Sequence, residues 1–159
     1  MHTTLCKQLA LYVTLYSPLQ MAADLPENYD LHKDAFQFIK DVPVDWDDTK
    51  IIEAEPGDYI TTARKEKNKP NWFIGAITDE NGRTATVNLN FLDAGKKYEA
   101  IIYSDAKDAN YTNNPEAYAI THYIVNNTTI LNLLLAPGGG AAVSIRPATA
   151  EQVKQLKSY

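Results

Sequence analysis

Up to about residue 45 the apolar positions follow a helical rhythm; beyond it they alternate. Leu5, Leu9, Tyr12, Val13 and Tyr16 recur at the three- and four-residue spacing that lines one helix face, which predicts a helix over 4–17. Pro18 ends it, because proline removes a backbone donor and restricts the residue before it. Leu19–Ala23 is a short apolar run, long enough for one buried strand, and Asp24-Leu25-Pro26-Glu27-Asn28 reads as a loop. A second helix is predicted over 28–40, with Phe36, Ile39 and Leu31 or His32 on its apolar face, Lys33, Asp34 and Lys40 in water, and Val42-Pro43 closing it. Helix, short strand, loop and helix in succession is the unit of an α/β barrel, and one such unit cannot close a barrel.

After residue 45 the pattern predicts strands near 49–54, 59–66, 71–78, 83–90, 98–105, 117–125, 129–136 and 141–146, separated by turn-forming stretches such as Glu55-Pro56-Gly57-Asp58 and Pro137-Gly138-Gly139-Gly140. Asn81-Gly82 between two strands suits a type I′ hairpin, whose central residues both need positive φ. Val87, Leu89 and Phe91 alternate with Asn88 and Asn90, and Val143 and Ile145 with Ser144 and Arg146, so both strands should be wet on one face. Trp72 to Ile77 is apolar on both faces and should be central. The fold class expected is mainly β: an antiparallel β-sandwich of about eight strands, preceded by a helix–short strand–helix remnant of a (β/α)8 barrel. Trp72, Ile74, Val87, Leu89, Ile102, Leu133, Val143 and Ile145 should be largely buried. The organisation read from the pattern is 1–44 as barrel remnant, 45–147 as sandwich, and 148–159 as a polar tail, helical or disordered.

Composition narrows the functions open to such a chain. With 159 residues and 45% hydrophobic positions it can bury a core, and 22% charge is ordinary for a globular domain. A net charge of -5 without a long basic stretch argues against nucleic acid, since nothing would displace phosphate counterions; Lys65 to Lys69 reads as a solvated hairpin loop. Cys6 is a lone thiol in an apolar helix and reads as a small buried hydrophobe. His2, His32 and His122 lie in separate segments, which predicts no metal site. Met1–Lys7, Leu9–Tyr16 and Met21-Ala22-Ala23 together have the outline of a signal peptide, although Tyr12, Thr14 and Ser17-Pro18 make a poor signal core; a buried helix is the competing reading. The same interruptions leave the run short of a membrane span.

Chemistry in a barrel sits just after its strands, and only Asp24 and Glu27 follow the candidate strand. Asp24 reads either as lining an active-site mouth or as a loop carboxylate capping the next helix; Glu27 suits the first turn of that helix. Asp45-Trp46-Asp47-Asp48 is oxygen-rich, but without the spacing of a calcium loop it reads as a solvated linker with Trp46 packed between domains. Pro137 to Gly140 lacks the Lys-Ser/Thr and the helix of a phosphate loop and reads as a flexible turn. Among the tyrosines of the β half, Tyr111 is the best candidate for stacking on a sugar, because it sits in the polar loop Lys107–Glu116.

Several stretches resemble one family. Gln8-Leu9-Ala10-Leu11-Tyr12-Val13, then Tyr16 through Tyr29, is similar to the end of the catalytic barrel in glycoside hydrolase family 97; so is Phe36 through Asp47. Asn71-Trp72-Phe73-Ile74-Gly75-Ala76-Ile77-Thr78 and Leu135-Ala136-Pro137-Gly138-Gly139-Gly140-Ala141-Ala142 extend the resemblance to about Arg146. It implies hydrolysis of α-glucosides or α-galactosides, with a lean towards the calcium-dependent α-glucosidase branch. It also implies catalytic and calcium-binding carboxylates on earlier barrel strands, so no catalytic residue and no metal ligand carries over to this chain. The function so implied is the C-terminal, non-catalytic part of a glycosidase, inactive alone, whose intact form takes an α-linked oligosaccharide. Members of the family are typically periplasmic or secreted in Gram-negative bacteria. The alternative is a secreted carbohydrate-binding or adhesion sandwich cleaved after Ala23. Without the rest of the barrel, the apolar segment 5–23 is expected to pair with a second copy rather than dock onto the sandwich.

Overall fold

The computed structural model describes residues 3–159; the expectation for His2 lies outside them. Helices α1 (Leu5–Thr14), α2 (Pro26–Asp30) and α3 (Lys33–Asp41) precede eight strands: β1 (Trp46–Glu55), β2 (Tyr59–Glu66), β3 (Trp72–Thr78), β4 (Arg83–Asn88), β5 (Tyr98–Asp105), β6 (Tyr118–Val125), β7 (Ile130–Leu135) and β8 (Gly140–Pro147). A last helix, α4, spans Ala150–Gln155. Six strands form one antiparallel sheet in the order β1-β2-β3-β8-β5-β6, while β4 and β7 form a separate antiparallel ribbon.

The alternation of side chains across each strand sorts the interior into two cores. Trp72, Ile74 and Ala76 of β3, Ala100 and Ile102 of β5, and Ala141, Val143 and Ile145 of β8 share a core with Ala85, Val87, Leu131, Leu133 and Leu135 of the ribbon. Phe73 of β3, Tyr103 of β5 and Ala142 of β8 point the other way, into a core completed by Leu9, Ala10 and Val13 of α1 and by Ala35, Phe38 and Val42. The molecule is therefore three layers deep: helices, six-stranded sheet, ribbon. All eight side chains expected to be interior are buried.

The seating of α1 is the largest departure from expectation. The helix does dock: Cys6, Leu9, Ala10 and Val13 are buried against β3 and β8. Glycine makes the approach close. A Cβ on Gly75 would lie 2.5 Å from the Ala10 carbonyl oxygen, and one on Gly140 would lie 2.8 Å from Lys7 Cα. Arg64 finishes the helix. Its buried guanidinium donates from Nε to the Val13 carbonyl at 2.7 Å and from Nη1 to Thr49 Oγ1 at 3.2 Å, placing a cation at the negative end of the helix. Burial lowers the pKa of Arg64. The helix spends its apolar face on its own sheet, so that face is not available to a second copy. Tyr16 and the residues that follow remain outside.

Other expectations also change. Leu19–Ala23 forms no strand, and Leu19 and Met21 are exposed; a barrel strand exists only by pairing with neighbours, and no neighbour is present to share its backbone hydrogen bonds. The predicted second helix divides into α2 and α3 around Leu31 and His32. Its buried positions are Ala35 and Phe38, because Phe38 meets Phe73 and Tyr103 edge-on at 6.0 and 5.3 Å; Leu31 is 77% exposed. Asn81-Gly82 is not a hairpin turn. It carries the chain out of the large sheet into the ribbon, and neither residue has positive φ. Asp79 holds it by accepting from Asn81 N at 2.9 Å. β8 is dry on both faces over most of its length, with Ser144 2% exposed, because α1 crosses it.

The C-terminal segment is ordered into the fold. A Thr149–Gln152 capping box opens α4, and Gln152 donates to Glu99 on β5 at 2.6 Å. Beyond it, Ile124 N of β6 donates to the Lys157 carbonyl, Tyr159 N donates to the Ile124 carbonyl, and the Tyr159 hydroxyl bonds both N (2.9 Å) and O (3.3 Å) of Asn132 in β7.

Two substitutions test the two cores. Leu133→Ala should cost roughly 2–5 kcal/mol in denaturant unfolding, from lost transfer energy plus the cavity left behind. Gly75→Ala forces the added methyl into the α1 backbone and should cost about 1–3 kcal/mol. It should also raise hydrogen exchange in α1 above that in the ribbon; equal protection of both would mean that α1 is not seated through Gly75.

Candidate functional site

Asp24 lies in the exposed segment between α1 and α2. It borders a pocket of about 470 Å³ whose walls include Leu9, Tyr12, Met21, Tyr29 and Phe36. Tyr29 and Phe36 stack at 4.4 Å between centroids, and the Tyr12 hydroxyl donates to the Met21 carbonyl at 3.0 Å. Asp24 Oδ1 accepts from Asn28 Nδ2 at 2.5 Å and from Leu25 N at 2.7 Å, at the entrance to α2. These bonds, the Asn28 one foremost, hold its carboxyl below the usual range, the opposite of what a general acid requires. Glu116 borders the same pocket and lies 3.4 Å from His32 Nε2. The pocket is a mixed hollow, with Gln8, Asn28 and His32 among its apolar walls and two partnered carboxylates at its rim.

Tyr111 stands at the other end of α1. Its ring covers Gly138, where an added Cβ would lie 2.6 Å from Tyr111 Cγ, and its N–H donates to the Pro137 carbonyl at 3.3 Å. Gly138 has φ +66, which a side chain would strain. The glycine turn, flexible by composition, is thus fixed by packing, and one face of the Tyr111 ring is committed to it.

Behind that turn lies a buried carboxylate whose role the sequence did not reveal. Asp105, at the end of β5, is 4% exposed. Its Oδ2 accepts from Ala136 N at 3.0 Å and Gly140 N at 2.9 Å, and the Thr4 hydroxyl and Cys6 thiol adjoin it. Its Oδ1 has no directed partner. Burial raises the Asp105 pKa, with the hydrogen bonds pulling back; burial first, then Asp105, pushes the Cys6 thiol far up. Cys6 is accordingly an inert core thiol, and Asp105 ties the glycine turn to the start of α1.

Each carboxylate of the acidic stretch at the start of β1 has a partner of its own. Asp45 pairs with Lys67 at 2.7 Å, Asp47 accepts from Asn68 N at 2.8 Å, and Asp48 pairs with Lys50 at 2.9 Å. These partners do not fit a calcium site, which needs several free oxygens converging on one point. Among the described residues no three His, Cys, Asp or Glu side chains gather as metal ligands, and no helix is long and apolar enough to cross a membrane. Trp46 packs edge-on against Phe73, with centroids 5.9 Å apart, and joins the helix-side core.

Comparisons with known proteins identify the setting of this fold. Residues 45–146 match the family model described as "Glycosyl-hydrolase 97 C-terminal, oligomerisation". A retaining alpha-galactosidase of Bacteroides thetaiotaomicron is 35% identical over 143 residues, 90% of this chain and 21% of that enzyme. The structure of a Glycoside Hydrolase Family 97 enzyme from a Pseudoalteromonas species, in complex with panose, superposes with TM-score 0.91 at 48% identity, covering 93% of this chain and 23% of that one. A beta-arabinopyranosidase structure follows at TM-score 0.72 and 28% identity. The fold is thus that of a glycoside hydrolase's non-catalytic C-terminal portion. The chain belongs to glycoside hydrolase family 97 and spans about a fifth to a quarter of the length of these relatives.

Asp105 gives a pH prediction with a definite sign. Its folded pKa lies above its unfolded value, so between the two the folded state binds more protons and stability falls as pH rises. Unfolding free energies of the wild type and Asp105→Asn should therefore converge below the carboxylate range, with the wild type losing ground as pH rises through it. Asp105→Leu leaves two buried N–H groups without an acceptor and should cost roughly 2–5 kcal/mol. A wild type that gains stability over Asp105→Asn with rising pH would reverse the assignment.

Proposed function

We propose that this chain is the C-terminal, non-catalytic portion of an α-glycosidase, whose α1–α3 segment is the edge of a catalytic barrel and whose six-stranded sheet supports that edge. The observation that carries this reading is the apolar strip Leu15, Tyr16, Leu19, Met21, Leu25 and Leu31, left exposed beside α1 and α3 in a chain whose similarity to the Bacteroides enzyme covers 90% of its length. In a longer enzyme the preceding barrel elements cover this strip. Asp24 then lies near the sugar site without performing the chemistry, because hydrolysis needs a pair of carboxyl groups across the glycosidic bond. Any calcium used by the intact enzyme is bound outside this chain.

The substrate proposed for the intact enzyme is an α-linked oligosaccharide, with α-glucosides favoured over α-galactosides. In support, identity to the family 97 enzyme described in complex with panose is 48%, against 35% to the alpha-galactosidase. The reading as a sugar-binding or adhesion sandwich cleaved after Ala23 would discard α1, which supplies Leu9, Ala10 and Val13 to the helix-side core.

The purified chain should not turn over aryl α-glucosides or aryl α-galactosides, with or without calcium. Turnover that disappears in Asp24→Asn would overturn the proposal.

A further inference from the structure

The two outer layers of the molecule both expose apolar side chains, and they face opposite ways. On the helix side lies the strip assigned above to the barrel. On the ribbon side, strict alternation sends Ala85, Val87, Leu131, Leu133 and Leu135 inward and leaves Thr84, Thr86, Asn88, Ile130, Asn132 and Leu134 outward. The outward six are directly opposed pairs: Thr84 with Leu134, Thr86 with Asn132, Asn88 with Ile130. None is charged, in a chain with 15 basic and 20 acidic residues among 159. Arg83, the one charged residue of the ribbon, is turned aside: its guanidinium lies 3.1 Å from the Tyr59 ring centroid and reaches Glu53. Ile130 and Leu134 are 48% and 46% exposed; of the large hydrophobics exposed within 45–146, only Ile51 lies elsewhere. Depletion of charge around exposed aliphatic side chains is the signature of an interface centre rather than of a solvated sheet face.

Resting on the family reading above, we propose that the outward face of the β4–β7 ribbon is the surface through which two copies of this chain meet, face to face about a two-fold axis. The partner is a second copy because the family model that matches this domain is described as oligomerisation. The ribbon is the face for it because the large sheet separates it from the helices, so an assembled barrel and a second copy do not compete. A two-fold contact uses the same patch on both copies and requires no complementary charge. Six residues of strand span about 20 Å, so the face offers roughly 200 Å² per copy, against about 800 Å² in a stable interface. Association of this chain through the ribbon alone is therefore weak and concentration-dependent.

The test is sedimentation of the full chain over a wide concentration range, with folding of each variant checked by thermal unfolding. Ile130→Lys with Leu134→Lys should weaken self-association at least about tenfold. Leu19→Ser with Met21→Ser should leave a concentration-dependent dimer in place. In a second arm, Thr86→Cys, at the centre of the face, should form a disulfide-linked dimer on mild oxidation in far higher yield than Asp58→Cys in the β1–β2 turn; Cys6 is buried and does not compete. A chain that stays monomeric throughout, a lysine pair without effect, loss of the dimer in the Leu19/Met21 variant, or equal crosslinking at both cysteines would each overturn the ribbon interface. None of these outcomes bears on the inactive-portion reading, which stands or falls on the turnover assay.

Discussion

The rest of the structure depends on the seating of one ten-residue helix against two strands. A helix this short is marginal in water by itself, so α1 persists because tertiary contacts hold it. Gly75 and Gly140 bring its backbone close to the sheet, Asp105 anchors its beginning, and Arg64 satisfies its end. Because α1 covers β3 and β8, those strands are dry on both faces, and Phe73 and Ala142 have a core to enter. α3 uses the same floor, with Phe38 resting on Phe73 and Tyr103. The helices and the large sheet are thus one packed body, although only residues 45–146 match the family model.

The β half was legible because its signals are local and mutually consistent. Alternation along β4 and β7, a doubly apolar β3 and a turn-forming stretch between successive strands leave few alternatives, and the strands fall where the pattern puts them. What was not legible depends on partners distant in sequence. Ser144 looks like a solvent-facing residue in an alternating strand until α1, more than a hundred positions away, crosses it. Asn81-Gly82 has the composition of a hairpin, but whether two strands pair or part into different sheets is decided by the ribbon's preference for β7. Leu19–Ala23 has strand composition without strand neighbours.

The candidate site divides along the same line. Asp24 is legible as the carboxylate that follows the short apolar run, and the structure finds it accepting from Leu25 N and Asn28 at the approach to α2, beside a largely apolar pocket. Asp105 and Arg64, the charged residues that organise the interior, left no trace in the sequence: one ends a strand and the other sits among Ala63 and Lys65 like any surface cation. Their importance comes from burial, which turns a modest hydrogen bond into a costly one to lose. Tyr111 stood out for its polar loop, and its ring serves to immobilise the glycine turn that Asp105 also holds.

The hydroxyl of Tyr159 occupies both backbone groups of Asn132, while the chain just before it runs alongside β6 at Ile124. An unpaired strand margin is a template on which a foreign extended peptide can grow. Here β6 and β7 present such margins across a narrow gap, and the last three residues lie in it like a bolt, with the Tyr159 ring turned edge-on to Tyr123 at 5.1 Å. The outward face of the ribbon remains open to a partner, but at this point its flank does not. The tail thereby separates orderly assembly, which uses side chains, from templated aggregation, which uses bare backbone.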